Sequence, residues 1–200
     1  VPDERAAAFI ALGMAHQTQS PVALVCTSGS ALLNYYPAIA EAFYRQIPLV
    51  VLSADRPNYL VDQADGQTIR QDNVFANHIL YSTSLTDDAT GKAHWFNQRK
   101  INEALNTATA PLSGPVHLNI PFEEPFYGTE EVVNTTPQIT QFIRPENKLN
   151  DDQVNWVSSQ IQNAKRPMLL VGQQNGSVEI NDALTLWSKS ILVLTETTSN

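Results

Sequence analysis

Short apolar runs alternate along this chain with longer stretches whose apolar residues recur at helical spacing. Arg5 to His16 is Ala-rich and reads as a helix, with Asp3 placed to cap it. Val22-Ala23-Leu24-Val25-Cys26 is a continuous apolar run behind Pro21 and predicts a strand buried on both faces. Ala31 to Arg45 reads as one helix, with Pro37 in its first turn or kinking it. Leu49 to Leu52 predicts a second buried strand. A polar stretch from Arg56 to Gln71 follows, then a short helix over Asp72 to His78. Lys92 to Thr109 reads as a long helix. Val116, Leu118 and Ile120 then alternate with His117 and Asn119, the pattern of a third strand.

From Phe122 to Asn150 the pattern dissolves into Pro, Glu, Thr and Asn, the composition of an interdomain linker. Periodicity returns with helices over Asp151 to Asn163 and Glu179 to Ser188, and strands over Met168 to Val171 and Ile191 to Leu194. Strands separated by helices pair in parallel through right-handed crossovers, so the expected fold class is α/β. Val1 is not a start methionine, and the chain stops at Thr198-Ser199-Asn200 just after a strand-like run. Both ends read as cuts through a larger fold.

Composition narrows the class. The 200 residues are 42% hydrophobic and 16% charged, which is globular and leaves room for one good core plus part of another. A net charge of -8 without a basic cluster argues against a nucleic acid or an anionic membrane as partner. No run approaches the ~18 apolar residues of a membrane span, and no signal peptide opens the chain. The single cysteine, Cys26, has no internal disulfide partner and suits a reducing, cytoplasmic setting.

In open α/β sheets ligands sit beyond the carboxyl ends of the strands. Those ends are Thr27-Ser28-Gly29-Ser30, Asp55-Arg56-Pro57 and Asn119-Ile120-Pro121. Glu4, just before its helix, joins the same rim if a strand precedes it, and the loop from Arg56 brings Gln67, Arg70 and Gln71. A carboxylate, guanidiniums and amides on one edge make a site for an anionic ligand. Each residue also has a plain reading. Glu4 in a first helical turn favours the helix dipole, Thr-Ser-Gly makes a turn and cap, and Arg56 pairs with Asp55 or Asp62.

Other chemistries fail on spacing. Ser28 lies in Cys-Thr-Ser-Gly-Ser, not Gly-x-Ser-x-Gly, so there is no nucleophile elbow. Gly172-Gln173-Gln174-Asn175-Gly176 lacks the Gly-x-Gly-x-x-Gly spacing. His16, His78, His94 and His117 form no i,i+4 pair and have no cysteine beside them for zinc. Cys26 reads as inert core, and Trp95, Trp156 and Trp187 as helix packing residues.

Five segments occur in an order that carries a resemblance: Asp3-Glu4-Arg5-Ala6-Ala7, Cys26 to Ala31, Asn34 to Ala42, Leu52-Ser53-Ala54-Asp55-Arg56-Pro57 and Gln67-Thr68-Ile69-Arg70-Gln71. Together they resemble the pyrimidine-binding domain of the thiamine-diphosphate enzymes. The Ala-Asp-Arg-Pro and Gln-x-Ile-Arg-Gln segments resemble in particular the synthase branch of menaquinone biosynthesis. Val116 to Tyr127 looks like the close of that domain.

The resemblance implies a three-layer pyrimidine-binding domain over 1–127, a linker over 128–150, and the beginning of a Rossmann-like central domain over 151–200. It makes Glu4 the catalytic carboxylate, hydrogen-bonded to N1′ of the aminopyrimidine ring so that the ring's 4′-nitrogen can take the thiazolium C2 proton. That role calls for an apolar pocket, because burial raises a carboxyl pKa until its proton is shared with the ring. Thr27, Ser28, Gly29 and Asn34 would lie near the pyrimidine. Arg56, Gln67 and Arg70 would hold isochorismate, a guanidinium forking onto its carboxylate. Where family members carry Asn before Gln67, this chain has Gly66, so that contact is lost, supplied by Asp65 or Gln63, or made through water.

The reaction implied is decarboxylation of 2-oxoglutarate and 1,4-addition of the succinyl unit to isochorismate. Magnesium on the diphosphate would be held outside this segment, and the assembly would be a homodimer or homotetramer. Two rivals stand beside it. An acetolactate synthase or 2-oxoacid decarboxylase would keep Glu4 without isochorismate, and a non-catalytic α/β module would use Glu4 as surface charge.

Overall fold

A computed structural model of the chain describes residues 1–123, 136–143, 148–174 and 176–199. Two compact units divide it, Val1–Phe142 and Ile143–Asn200.

The first unit opens with helix α1 (Glu4–Thr18), whose start is set by Asp3: its carboxylate accepts the Ala6 N–H at 2.7 Å. Strand β1 (Val22–Cys26) follows. The single helix expected over Ala31 to Arg45 is two helices, α2 (Ser30–Leu33) and α3 (Tyr36–Tyr44), with Pro37 in the first turn of α3. Proline has no N–H to donate, so it fits an opening turn and interrupts anything longer. Strand β2 (Leu49–Asp55) runs past its apolar stretch, and a 3-10 turn over Asn58–Leu60 follows. Strand β3 (Tyr81–Ser84), helix α4 (Gly91–Ala108) and strand β4 (Val116–Pro121) complete the unit. The polar sequence Tyr-Ser-Thr-Ser concealed β3 from the pattern. Residues 72–78, expected as a helix, form turns. Asn73 takes a left-handed φ of 54° and Gln71 enters the core, and neither suits a helix there.

The four strands are parallel, in the order β1-β2-β4-β3. Val50 lies beside Val116 and Ser53 beside Asn119, and residues in register share a face. Val50, Val116 and Leu118 pack on Ala104 and Ala108 of α4. Leu49 and Val51 turn the other way, onto a core made with Ala8, Ala11, Leu12 and Ala15 of α1 and Ala38, Ile39 and Ala42 of α3. This is the expected three-layer sandwich. Losing a fully enclosed side chain such as Ile39 to alanine costs about 2–5 kcal/mol.

The burial of β1 also departs from expectation. Strand β1 is an edge strand covered on one face only: Leu24 and Cys26 are buried, Ala23 is exposed and Val25 is 71% exposed. Helix α1, with α3 beside it, covers one side of it, and α4 packs over β2, β4 and β3 instead.

Residues 136–143 and 148–150, within the expected linker, have no regular structure. Part of that stretch is nonetheless fastened to α4. Asn102 donates to Gln138 O at 2.9 Å and accepts Thr140 N–H at 2.7 Å, while Asn106 donates to Thr140 O at 2.8 Å. The expected boundary after residue 127 lies outside the described residues.

The second unit runs α5 (Asp151–Asn163), β5 (Met168–Leu170), α6 (Val178–Trp187) and β6 (Leu192–Leu194), with β5 and β6 parallel. Asn150 and Gln153 close a capping box on α5, and Ser177 caps α6. Among its described residues only Val171 and Ser199 are buried. Trp95, Trp156 and Trp187, expected as packing residues, are 59%, 64% and 41% exposed. Among the described residues no helix is long and apolar enough to cross a membrane.

Candidate functional site at the carboxyl ends of the strands

The turn after β1 and the loop after β2 meet backbone to backbone. Gly29 has φ 85° and ψ -149°, a conformation essentially reserved for glycine. A Cβ there would stand 2.9 Å from the carbonyl oxygen of Gln67, which itself has φ 58°. The Gly29 N–H is taken by the side chain of Gln71, donating to Oε1 at 2.7 Å.

Gln71 belongs to a buried polar network laid across the sheet ends. Its Nε2 donates to Ala54 O at 2.9 Å and Asn119 Oδ1 at 2.8 Å. Asn119 Nδ2 donates to Asp55 Oδ2 at 2.7 Å, and Asp55 Oδ1 accepts the Arg56 N–H at 2.8 Å. The carboxylate can only accept, which fixes the orientation of the Asn119 amide. Ser53 therefore donates its one proton to Asn119 Oδ1 at 2.8 Å, and His117 Nε2, 2.7 Å from Ser53 Oγ, is the donor in that pair. His117 Nδ1 is left to accept from Ser82 at 3.2 Å. Burial pushes the His117 imidazole down to about 4, so it is neutral in the fold.

Glu4 is half-buried in the first turn of α1, and accepts no hydrogen bond among the described residues. Its charge reaches the end of β1. Burial, with Glu4 a lesser contributor, raises Cys26 to about 11 and Tyr35 to about 12. Tyr35 donates its hydroxyl to Val25 O at 2.8 Å. Cys26 is thus a buried thiol, protonated at neutral pH, in keeping with the inert reading. The apolar pocket expected around Glu4 is not closed by the described residues.

The Arg56 backbone N–H meets Asp55, but its guanidinium pairs with neither expected partner, Asp55 or Asp62. Its guanidinium faces Asp65 Oδ2 at 3.6 Å, and its Nε is buried with no hydrogen-bond partner among the described residues. Asp65 also accepts from Thr68 Oγ1 at 3.1 Å, so of the neighbours weighed for Gly66 it is the one engaged in this loop. Arg70 forks onto Asp62 through Nε and Nη2, both at 2.8 Å. Arg70, Asp62, Asp55, Gln71 and Asn119 line a cleft of about 410 Å³. Ser28 is buried, Thr27 and Gln67 are exposed, and Asn34 Nδ2 turns back to Ser30 O at 3.3 Å.

The strand-end residues singled out from the sequence are therefore neighbours in pairs: Gly29 with Gln67, Arg56 with Asp65, Glu4 with the end of β1. Of the network, Gln71 and Asn119 were read onto this rim from the sequence, whereas Ser53 and His117, which join them, were not. Its signal was present in two polar residues, His117 and Asn119, alternating inside a buried strand.

A family model described as thiamine pyrophosphate enzyme, N-terminal TPP binding domain, matches residues 1–77. The 4-hydroxybenzoylformate decarboxylase of Rhodococcus jostii RHA1, thiamine diphosphate-dependent, superposes with a TM-score of 0.67 at 20% identity, over 86% of this chain and 31% of that one. That likeness establishes the fold. The parallel sheet and the matched segment make the first unit a thiamine-pyrophosphate-binding domain of the α/β class. More narrowly, the chain is a homologue of the 2-succinyl-5-enolpyruvyl-6-hydroxy-3-cyclohexene-1-carboxylate synthases. It is 52% identical, over its whole length, to the synthase of Flavobacterium johnsoniae and 49% identical to that of Flavobacterium psychrophilum. It spans 36% of the length of each.

Proposed function

We propose that this chain supplies the aminopyrimidine side of the active site of a thiamine-diphosphate synthase that joins 2-oxoglutarate to isochorismate in menaquinone biosynthesis. The observation that carries the reading is the 52% identity with such a synthase along the entire chain. The residues fit the group: a half-buried carboxylate that accepts no hydrogen bond among the described residues, beside the end of β1, and a side-chain-free turn at Gly29.

Thiamine diphosphate, when bound, supplies the carbon at which the 2-oxoacid loses carbon dioxide and becomes a nucleophile. Glu4 is the acid–base group, its carboxylate sharing a proton with the aminopyrimidine ring nitrogen. Thr27, Ser28, Gly29 and Asn34 shape the wall beside that ring. With its N–H held by Gln71, Gly29 contributes shape and close approach rather than a donor. Arg56 holds a carboxylate of isochorismate and Gln67 orients it, while Arg70, fixed by its pair with Asp62, offers its remaining N–H groups at the rim.

The reading assigns 1–127 to the pyrimidine-binding domain, 128–150 to a linker and 151–200 to the beginning of a central domain. Magnesium is bound elsewhere in the protein, which works in the cytoplasm as a homodimer or homotetramer. On this reading the 200 residues alone are expected neither to bind the cofactor tightly nor to turn over.

The test uses a full-length synthase carrying this segment, with thiamine diphosphate and magnesium, following isochorismate with and without 2-oxoglutarate. Loss of isochorismate only when both substrates are present is the expected result. Carbon dioxide released from a different 2-oxoacid, with isochorismate untouched, would move the chain to a sister enzyme. Absence of thiamine diphosphate binding would leave a non-catalytic module.

A further inference from the structure

We propose that Gln71 is a positioning residue that locks the Thr27–Ser30 turn to the 56–71 loop, so that cofactor-side and substrate-side walls are held by one side chain. The inference rests on the proposed function for what the two walls bind, and on geometry alone for the lock. Gln71 is 1% exposed, and every hydrogen-bonding atom of its amide is used. Oε1 accepts from Gly29 at the end of β1. Nε2 donates to Ala54 O on β2 and to Asn119 Oδ1 on β4. One amide thus spans three neighbouring strands and stands at the end of the loop that carries Arg56, Gln67 and Arg70.

The direction of the amide is dictated from outside. Asp55 orients Asn119, and Asn119 Oδ1 then requires a donor from Gln71. The remaining carbonyl of Gln71 can face only the Gly29 N–H. Gly29 and Gln67 have no slack between them, because not even a methyl group fits. Releasing Gly29 from Gln71 therefore shifts both the turn and the Gln67 backbone. A side chain concerned only with stability would lower the melting temperature without changing ligand affinities well below it.

The experiment compares wild type, Gln71→Leu and Gln71→Glu in a full-length synthase carrying this segment. It reads thiamine diphosphate Kd by titration, isochorismate KM against kcat, and amide exchange of the peptide containing Gly29. In Q71L the expected result is a rise of tenfold or more in both Kd and KM, a smaller change in kcat, and faster exchange at Gly29. Kd and KM within twofold of wild type in folded Q71L, with exchange at Gly29 unchanged, would overturn the proposal. Should Q71L not fold, Q71E decides. Its protonated carboxyl can accept from Gly29 and donate once, whereas the ionised form faces Ala54 O and Asn119 Oδ1 without a proton. Affinity should be near that of wild type at pH 6 and weaken by pH 8.5, while wild type stays level. A Q71E affinity that does not change between these pH values would overturn the lock. If wild type binds no thiamine diphosphate, the functional reading fails, and the exchange rate at Gly29 still decides the role of Gln71.

Discussion

Ser53 accepts a hydrogen bond from His117 Nε2 across 2.7 Å, because its own proton is committed to Asn119. The imidazole is therefore held neutral, in one tautomer, inside the sheet. Its folded pKa, about 4, lies below the ordinary 6.5. The unfolded chain takes up the proton first as pH falls. The stability this histidine contributes is whole above pH 6.5 and is lost on the way down to 4, up to about 3 kcal/mol. Urea midpoints of wild type and His117→Gln between pH 7 and 4.5 check this. Wild type should lose stability more steeply, and parallel slopes would contradict the assignment.

Gly29→Ala should destabilise the first unit by about 1–3 kcal/mol from backbone conformation alone. The new Cβ also presses on Gln67 O at 2.9 Å, and backbone cannot swing aside as a side chain can. Chemical denaturation measures it, and a change under about 0.5 kcal/mol would show that the turn relaxes freely.

Glu4→Gln should leave the fold intact and slow the full-length synthase by about 10²–10⁴-fold, the usual worth of an acid–base group. The helix start survives because Asp3 makes the cap. Asp3→Ala should show the reverse profile, losing about 1 kcal/mol of stability with little effect on rate. Steady-state kinetics alongside thermal melts separate the two. Equal rates for E4Q and wild type would return Glu4 to the role of surface charge.

Arg56→Met should raise the KM for isochorismate tenfold or more and leave thiamine diphosphate affinity within about twofold, since each decade corresponds to 1.4 kcal/mol. Arg56→Lys should recover only part, because a lysine is a point charge and cannot fork onto a carboxylate. Full recovery with lysine would mean that Arg56 acts through charge alone.

Helices α1, α4, α5 and α6 were legible from their periodicity, with Asp3 marking the start of α1, while the caps at Thr90, Asn150 and Ser177 emerged with the structure. Strands β1, β2 and β4 announced themselves as apolar runs. Strand β3 did not, because tyrosine, serine and threonine satisfy a strand next to α4 without forming an apolar run. The turns over 72–78 were misread because the burial of Gln71 comes from contacts with residues 29, 54 and 119, far away in sequence. The same remoteness hid how Gln71 and Asn119 connect through Ser53 to His117. Single residues such as Glu4 and Arg56 were singled out through a family pattern, whereas no local pattern encodes an amide that must meet three strands.

The strand order implies a schedule during synthesis. Strand β4 lies between β2 and β3, yet it is made last of the four. At about 5–20 residues per second, the stretch from residue 55 to residue 116 leaves the ribosome roughly 3–12 s after β2 is finished. Through that interval the edge of β2 that takes β4 waits unpaired, and so does β3, whose partner among the described residues is β4. The nascent unit is therefore most open to aggregation and to chaperone capture just before Val116 emerges, and the sheet closes when one strand slots into the gap.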